Sequence, residues 1–149
     1  MPALSQSERQ RWLSILPKAD EHALAEAADA LGIPEPVQWL RRPETGAAMV
    51  RGRMSGSGAP FNMGEMTVTR AAVRLEDGTV GTGYVAGRAL RKAELVALLD
   101  ARLQQQPDLA DGLLAPIEAA LKAKRQQAVR KAATTKVEFF TMVRGENAK

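Results

Sequence analysis

Cysteine is absent from this 149-residue sequence, and histidine occurs once, at His22. The chain therefore has no thiolate nucleophile, no disulfide and no ligand set for the usual zinc or iron–sulfur sites. A catalytic histidine also needs an orienting partner and a pocket, and His22 falls in the first turn of a predicted helix beside Asp20 and Glu21. We expect His22 to be an ordinary surface residue, we expect no metal site, and we assign no catalytic residue.

Aromatic residues are scarce at 4% of the chain, although hydrophobic residues reach 45% because alanine is abundant. The length is typical of one domain, and we expect residues 1–149 to form a single unit. A chain with few large side chains forms a modest core. Such a chain often buries the rest of its apolar surface against partner proteins. No apolar run is long enough to span a membrane, and the first residues lack the pattern of a leader peptide, so we expect a cytoplasmic protein without membrane contact.

Positive charge is concentrated at one end of the chain. The formal net charge is +4, and the residues from Lys122 onward hold a large excess of lysine and arginine. A basic end suggests an acidic partner, a phosphorylated ligand or nucleic acid. The aromatic residues are not interleaved with the arginines as stacking platforms require, and no helix-turn-helix or RNA-binding motif occurs, which argues against nucleic acid.

The clearest pattern is a β-hairpin over Gly64–Gly87. Asp77 and Gly78 separate two β-prone runs, and this dipeptide is typical of a two-residue type I′ turn. An antiparallel sheet is built on this hairpin, and the turn fixes which residues face each other. The predicted pairs on the core side are Leu75 with Val80, Val73 with Thr82, and Ala71 with Tyr84.

The opposite side of this hairpin carries two arginines. The same register pairs Arg70 with Val85 and Arg74 with Gly81, which leaves an open basic surface. Such a surface could receive an anion or a partner's carboxylate. The alternative is an ordinary solvated face of a half-buried antiparallel sheet. The full set of anion or interface candidates is Arg51, Arg53, Arg70, Arg74 and Arg88.

A glycine-rich segment, Ser55–Gly64, follows Arg51 and Arg53. Backbone N–H groups of such a loop could bind phosphate. However, the Gly-Lys-Ser/Thr sequence is missing, and Phe61 stands where a dinucleotide fingerprint needs glycine or alanine. The alternatives are a flexible connection or a loop that a subunit contact orders.

The helical patterns complete a predicted α+β fold. Two short helices, ended by Pro17 and by Gly32, form an N-terminal helical hairpin. Two helices also follow the β-hairpin. The first is amphipathic, runs to about Gln106 and covers the core side of the sheet. A short helical turn over Asp108–Leu114 then leads to a basic helix that starts at Pro116.

Two further strands, over 37–42 and 47–53, are predicted to extend the sheet, with a turn at Pro43–Gly46 between them. Glu44 is the acid in that turn. It could act as a general base, although a lone carboxylate in a turn more often accepts hydrogen bonds from the local backbone.

The last segment, Val137–Val143, is apolar on both faces of its alternation. The domain has too few large side chains to cover both faces, and Lys136 and Arg144 flank the segment as gatekeepers do. We therefore expect a final strand that pairs with another subunit or with a second copy of this chain. Its partner-contact candidates are Val137, Phe139, Phe140, Met142, Val143 and Arg144.

Five segments of the chain together carry a resemblance to a known family. They are Glu44–Gly46, Arg53-Met54, Thr69–Leu75, Asp77–Thr79 and Phe139–Gly145. With these segments the chain resembles the PhnG family of the bacterial carbon–phosphorus lyase system, in the same order from about Arg11 to Asn147. It departs from the family in two places. Lys92-Ala93-Glu94 stands where His-Ala-Glu is common, after Ala89 in place of an acid, and Ser55 replaces a common glycine.

The resemblance implies a subunit of the C–P lyase core complex in organophosphonate catabolism, with PhnI, PhnH and PhnJ as partners. In the implied reaction, an alkylphosphonate displaces adenine from the ribose of ATP to give a ribose 1-phosphonate 5-triphosphate, through PhnI with PhnG, PhnH and PhnL as helpers. PhnJ would bring an iron–sulfur cluster and S-adenosylmethionine, so we expect no cofactor on this chain. Two alternatives stay open: a stand-alone basic nucleotide- or nucleic-acid-binding protein, and a hydrolase that uses Glu44 or Glu65.

Overall fold

A computed structural model of the chain describes residues 6–33 and 37–134. In these residues two helices come first, a three-stranded antiparallel sheet follows, and two longer helices complete the order. This is the predicted α+β fold, and the expected final strand lies outside the described residues. The elements are α1 Gln6–Ile15, α2 Glu21–Leu31, β1 Gln38–Arg53, β2 Pro60–Arg74, β3 Val80–Ala86, α3 Leu90–Gln105 and α4 Ala110–Thr134.

The N-terminal helical hairpin forms as the sequence predicts. α1 ends before Pro17, which lies in a 3₁₀ turn, because proline has no N–H with which to continue an α-helix. α2 follows Asp20 and ends before Gly32, whose φ of +57° is in the region that glycine adopts readily. The residues that the hairpin buries in the core include Trp12, Leu16 and Leu24.

β1 is a single strand of 16 residues, and not the two predicted strands. The predicted turn at Pro43–Gly46 is wrong, because the pairing with β2 shifts between Arg41 and Glu44 and lets the strand continue past the proline. An irregularity of this kind accommodates a residue that has no backbone N–H to donate.

The β2–β3 hairpin forms, but its register differs from the prediction by one residue. The turn has three central residues, Glu76–Gly78, since Leu75 N donates to Thr79 O (2.9 Å) and Gly78 N donates to Leu75 O (3.0 Å). Of these turn residues only Gly78 has positive φ, +88°, whereas the predicted type I′ turn needs it at two. The observed pairs include Arg74 with Val80, Val73 with Gly81, Ala72 with Thr82, Ala71 with Gly83, and Arg70 with Tyr84.

Because of this shift, each side chain of β3 lies on the side of the sheet opposite to the predicted one. Val73 is buried as predicted, but its β3 neighbours on the core side are Gly81 and Gly83. Thr82 and Tyr84, predicted for the core side, are exposed. A slip of one residue moves every side chain of a strand to the other face of the sheet, which explains the error.

The two buried glycines allow α3 to approach the sheet closely. A Cβ on Gly81 would lie 2.0 Å from the carbonyl oxygen of Ala97, and one on Gly83 would lie 2.0 Å from that of Ala93. Any side chain at these positions would push the helix away. α3 covers the core side of the sheet as predicted, and its buried residues include Leu95, Val96, Leu99 and Leu103.

Asp100 is a fully buried carboxylate in the middle of α3, and the sequence-based interpretation gave it no role. Its oxygens accept hydrogen bonds from Arg9 Nε (3.1 Å) and Nη2 (2.8 Å), from Trp12 Nε1 (2.8 Å) and from the backbone N–H of Thr82 (2.8 Å). The bond to Asp100 raises the pKa of Arg9 above its ordinary value. This carboxylate therefore ties α1, α3 and β3 together.

α4 begins at Ala110, so the predicted short turn and basic helix are one element. Pro116, expected to be a first helical residue, lies inside α4. Leu114 and Ile117 are buried on either side of it, and this burial helps the helix to continue without the hydrogen bond that proline cannot donate. From Lys122 to its end, α4 is exposed. No helix in the described ranges is long and apolar enough to cross a membrane.

Candidate functional site

The face of the sheet opposite α3 is not covered by any element in the described part of the chain, and we call it the open face. Arg70 and Arg74 lie on it as the sequence predicts, but across from Tyr84 and Val80 because of the register shift. Tyr84 is 53% exposed there. The residues of the open face are Gln38, Arg41 and Glu44 of β1, Arg70, Ala72 and Arg74 of β2, and Val80, Thr82 and Tyr84 of β3.

A carboxylate links two arginines on the open face. Arg70 Nη2 donates to Glu44 Oε1 at 3.1 Å, and Arg41 Nη1 donates to the same oxygen. Gly46 leaves room for the Arg70 guanidinium, since a Cβ there would lie 3.4 Å from Nη2. All three side chains stay partly exposed, so these ion pairs add little to folding stability. Glu44 therefore neutralises arginines, where the sequence favoured a backbone acceptor.

Arg70 keeps an unused hydrogen-bond donor. Its Nε is buried and has no acceptor among the described residues. A buried donor without an acceptor costs about 1–3 kcal/mol, so this group lowers the stability of the folded chain. Arg41, Arg70 and Arg74 outnumber Glu44, and the open face is therefore positive and suited to a carboxylate or a phosphate.

Beyond the last residue that pairs with β3, the strands β1 and β2 continue as a two-stranded arm. We call residues 46–67 the β-arm. The glycine-rich segment forms its tip, where Gly58 N donates to Met54 O (2.9 Å) and Arg53 Nη1 donates to Gly58 O (3.2 Å). β2 already begins within the predicted loop, so only part of that segment is a loop. The hydrogen bonds that shape the tip are internal to the chain.

The structure does not bring the five candidate arginines into one site. Arg70 and Arg74 share the open face, whereas Arg51 and Arg53 lie on the other face of the β-arm. Arg88 is exposed in the connection between β3 and α3. Their role as anion or interface residues stays a prediction for each of these three places separately.

The sequence-based interpretation missed the exposed apolar residues of the β-arm. These side chains are 43–72% exposed. The signal that could have found them is strand alternation, which becomes visible once β2 is extended back to Pro60. The residues are Met49, Met54, Phe61, Met63 and Met66.

An apolar groove of about 550 Å³ runs between α2 and α4. The charged residues in its lining, Glu26 and Asp108, are both acids. His22 is an exposed residue as predicted, with Nδ1 3.5 Å from Glu26 Oε2. Within residues 6–33 and 37–134 no group of three or more His, Cys, Asp or Glu could hold a metal ion.

Charged residues of three helices meet at Lys92 of α3. Burial lowers the pKa of Lys92, with Lys124 acting in the same direction and Asp20 and Glu21 opposing it. Lys124 Nζ lies 3.3 Å from Asp20 Oδ1. The cluster joins the N-terminus of α2 to α4, and we give it a structural role.

The partner-contact candidates of the predicted final strand cannot be placed against these features. All of them lie outside the described residues, and their role stays a prediction. They are Val137, Phe139, Phe140, Met142, Val143 and Arg144.

Comparison with known proteins adds two findings. The family model described as phosphonate metabolism protein PhnG matches residues 7–145 of the chain. The chain is also similar to the alpha-D-ribose 1-methylphosphonate 5-triphosphate synthase subunit PhnG of Rhizobium meliloti (strain 1021), with 41% identity over 143 residues. The aligned region is 95% of this chain and 92% of that protein.

Proposed function

We propose a function from the premise that this chain belongs to the PhnG family of phosphonate metabolism proteins. The chain is a subunit of an alpha-D-ribose 1-methylphosphonate 5-triphosphate synthase and acts in organophosphonate catabolism. The observation that carries this proposal is the 41% identity to a subunit of such a synthase, which extends over 95% of the chain. A match of this length includes the helices, the sheet and the β-arm, so the likeness is not confined to one motif.

In the proposed reaction, methylphosphonate and ATP give ribose 1-methylphosphonate 5-triphosphate and adenine. A phosphonate oxygen forms a bond to C1 of the ribose while the bond from C1 to the adenine nitrogen breaks. Adenine leaves with the electron pair and takes up a proton. The triphosphate is not cleaved, and basic residues of the complex can therefore bind it as an anionic group throughout the reaction.

We propose that this chain supports the reaction through assembly. The open face offers arginines, the β-arm offers exposed apolar residues, and Glu44 is engaged with Arg41 and Arg70. These are features of a binding surface, since a general base needs a free carboxylate within reach of the proton that it abstracts. The proposed partners are PhnI, PhnH and PhnJ, with PhnL in the reaction.

The cofactors in this proposal belong to the complex. ATP enters as a substrate of the assembled synthase, and PhnJ carries the iron–sulfur cluster and S-adenosylmethionine for the later cleavage of the C–P bond. The chain itself binds none of them alone. The proposed compartment is the cytoplasm, where ATP is available.

Leave-one-out reconstitution tests this function. The chain is co-expressed with the other subunits, and conversion of ATP and methylphosphonate is followed by adenine release and by detection of the ribose product. Omitting this chain should remove most of the activity, and adding it back should restore it. Full product formation without the chain would refute the proposal.

The rival function, stand-alone binding of nucleotides or nucleic acid, rests on the exposed basic half of α4 from Lys122 onward. It predicts that the tagged chain purifies alone and binds DNA with an affinity that falls steeply with salt. Recovery of the chain with stoichiometric partner subunits, and without nucleic acid, would reject it.

A further inference from the structure

The strand register sorts the β-arm into two unlike faces. Directly paired residues of an antiparallel ladder point to the same side, so the pairs Ala48 with Met66 and Val50 with Gly64 lie on the side of the open face. The other side carries Met49 paired with Glu65, and then Arg51 and Arg53. One face of the arm is therefore apolar, and we call it the apolar arm face. Its residues are Gly46, Ala48, Val50, Gly52, Phe61, Met63 and Met66.

The position of Met63 follows from a glycine. A Cβ on Gly52 would lie 2.2 Å from Met63 Sδ, so this methionine lies over Gly52 on the apolar arm face. Met63 is nevertheless 64% exposed, Phe61 is 44% exposed and Met66 is 43% exposed. Large apolar side chains gathered on one exposed face are typical of interaction sites, and methionine adapts its shape to a partner surface.

The β-arm also lacks support within the described residues. β3 reaches only to Val68 of β2, and a two-stranded ribbon without a third strand or a covering helix is marginally stable in water. In the part of the arm without a third strand, Ala47–Arg53 pairs with Pro60–Thr67. Covering one face would supply the burial that the arm lacks.

We propose that the apolar arm face and the neighbouring arginines of the open face form one docking surface for another subunit of the complex. The two parts adjoin, because Met66, Val68 and Arg70 lie on the same side of β2, with the buried Val68 between the exposed Met66 and the partly exposed Arg70. The occupant presents an apolar surface to the arm and carboxylates to Arg41, Arg70 and Arg74. This inference rests on the proposed function for the identity of the occupant as a synthase subunit.

Charge is the reason to choose a different subunit over a second copy. The carboxylate on this part of the open face, Glu44, is already shared by Arg41 and Arg70. Two copies facing each other would bring excess positive charge together without new carboxylates to meet it.

Two methionines of the arm make a matched test. Met66 lies on the apolar arm face at 43% exposure, and Met49 lies on the other face at 52% exposure. Met66→Lys and Met49→Lys each add one charge to the same arm. The tagged variants are co-expressed with the other subunits, and the ratio of recovered subunits to this chain is measured. A photoreactive phenylalanine analogue at position 66 or 49 then reports the contact in the intact complex.

We expect Met66→Lys to reduce recovery of the other subunits by about tenfold or more, because a lysine ammonium would be buried against an apolar surface. Met49→Lys should stay within about twofold of the unaltered chain, since that face stays in water. The probe at position 66 should cross-link to another subunit, and the probe at position 49 should not. Equal circular dichroism melts of the two variants show that both are folded. If one lysine variant misfolds, the cross-linking results at positions 66 and 49 test the docking surface instead.

Other outcomes separate the docking surface from the proposed function. If position 66 cross-links to another subunit but the complex makes no ribose product, the function fails and the docking surface stands. If the complex makes product normally while Met66→Lys assembles fully and position 66 does not cross-link, the docking surface fails and the function stands. Cross-linking of position 66 to a second copy of this chain, or Met66-dependent binding to anionic lipid vesicles, would also overturn the choice of occupant.

Discussion

Replacing Asp100 by asparagine should destabilise the chain far more than any exposed aspartate change. Each group that contacts this carboxylate at 2.8–3.1 Å is a donor: two nitrogens of Arg9, Trp12 Nε1 and the N–H of Thr82. Asparagine offers one oxygen and one NH₂, so either pair of donors would face another donor. Hydrogen bonds to a charged group are worth about 1.5–3 kcal/mol, and breaking a buried ion pair costs about 3–5 kcal/mol.

We therefore expect Asp100→Asn to lower the free energy of unfolding by about 3 kcal/mol, which corresponds to roughly 6–12 °C in melting temperature for a chain of this size. The control is Asp111→Asn, since Asp111 also pairs with an arginine of α1, Arg11, but its side chain is 85% exposed. That change should leave the free energy of unfolding nearly unchanged, because water screens an exposed ion pair. Urea unfolding of the two variants measures both values. A loss below about 1 kcal/mol for Asp100→Asn would refute the assignment of Asp100 as the tie between α1, α3 and β3.

Three further predictions concern the sheet. Gly83→Ala should cost about 1–3 kcal/mol or more in urea unfolding, because its Cβ would meet a helix backbone atom 2.0 Å away; a neutral result would mean that α3 does not lie so close. Changing both Arg70 and Arg74 to alanine should cost about 0–1 kcal/mol of stability while complex recovery and product yield fall, and unchanged assembly would make them ordinary surface residues. Gln105→Ala should raise the pKa of Asp77 towards the ordinary value of 3.8, because the Gln105 hydrogen bond is the largest cause of its lowering; an NMR titration that finds no change would contradict that bond. Because the folded-state pKa of Asp77 is lowered, its carboxylate stabilises the turn fully at pH values above the ordinary pKa. This stabilisation is lost as the pH falls through the lowered folded-state pKa.

The helix boundaries were predictable because they depend on local chemistry. Pro17 ends α1 through its missing N–H, and Gly32 ends α2 through its positive φ. Pro116 shows the limit of this reasoning. Tertiary burial of Leu114 and Ile117 helps to carry the helix through a residue that local rules place at a start.

The strand register could not be derived from turn composition alone. Asp77-Gly78 fits both a two-residue turn and a three-residue turn with glycine at the left-handed position, and the two differ by one residue in every pair. The glycines of β3 held the missing information. Gly81 and Gly83 alternate with Thr82, which is the pattern expected when a helix lies directly against the backbone.

The placement of two candidate arginines was correct, whereas their role stays a prediction. Arg70 and Arg74 were placed on the open face because the alternation along β2 does not depend on the turn. Asp100 was missed although the sequence carries a signal, since it lies four residues after Val96 and three before Leu103 on the apolar face of α3. A carboxylate at that spacing needs a buried donor, and the donor from α1 is 91 residues away in sequence.

The hydrogen bond from Thr82 N to Asp100 also affects how the chain avoids aggregation while it folds. β3 is an edge strand of the described sheet, so backbone groups on its outer edge have no strand partner. Side chains of α3 bind two of them: Thr82 N donates to Asp100, and Gln104 Nε2 donates to Val80 O (2.8 Å). Until α3 docks, these groups are open to a strand from any other unfinished chain. Substitutions that slow this docking should therefore appear first as insoluble protein during synthesis, even where the folded molecules that remain melt at a nearly normal temperature.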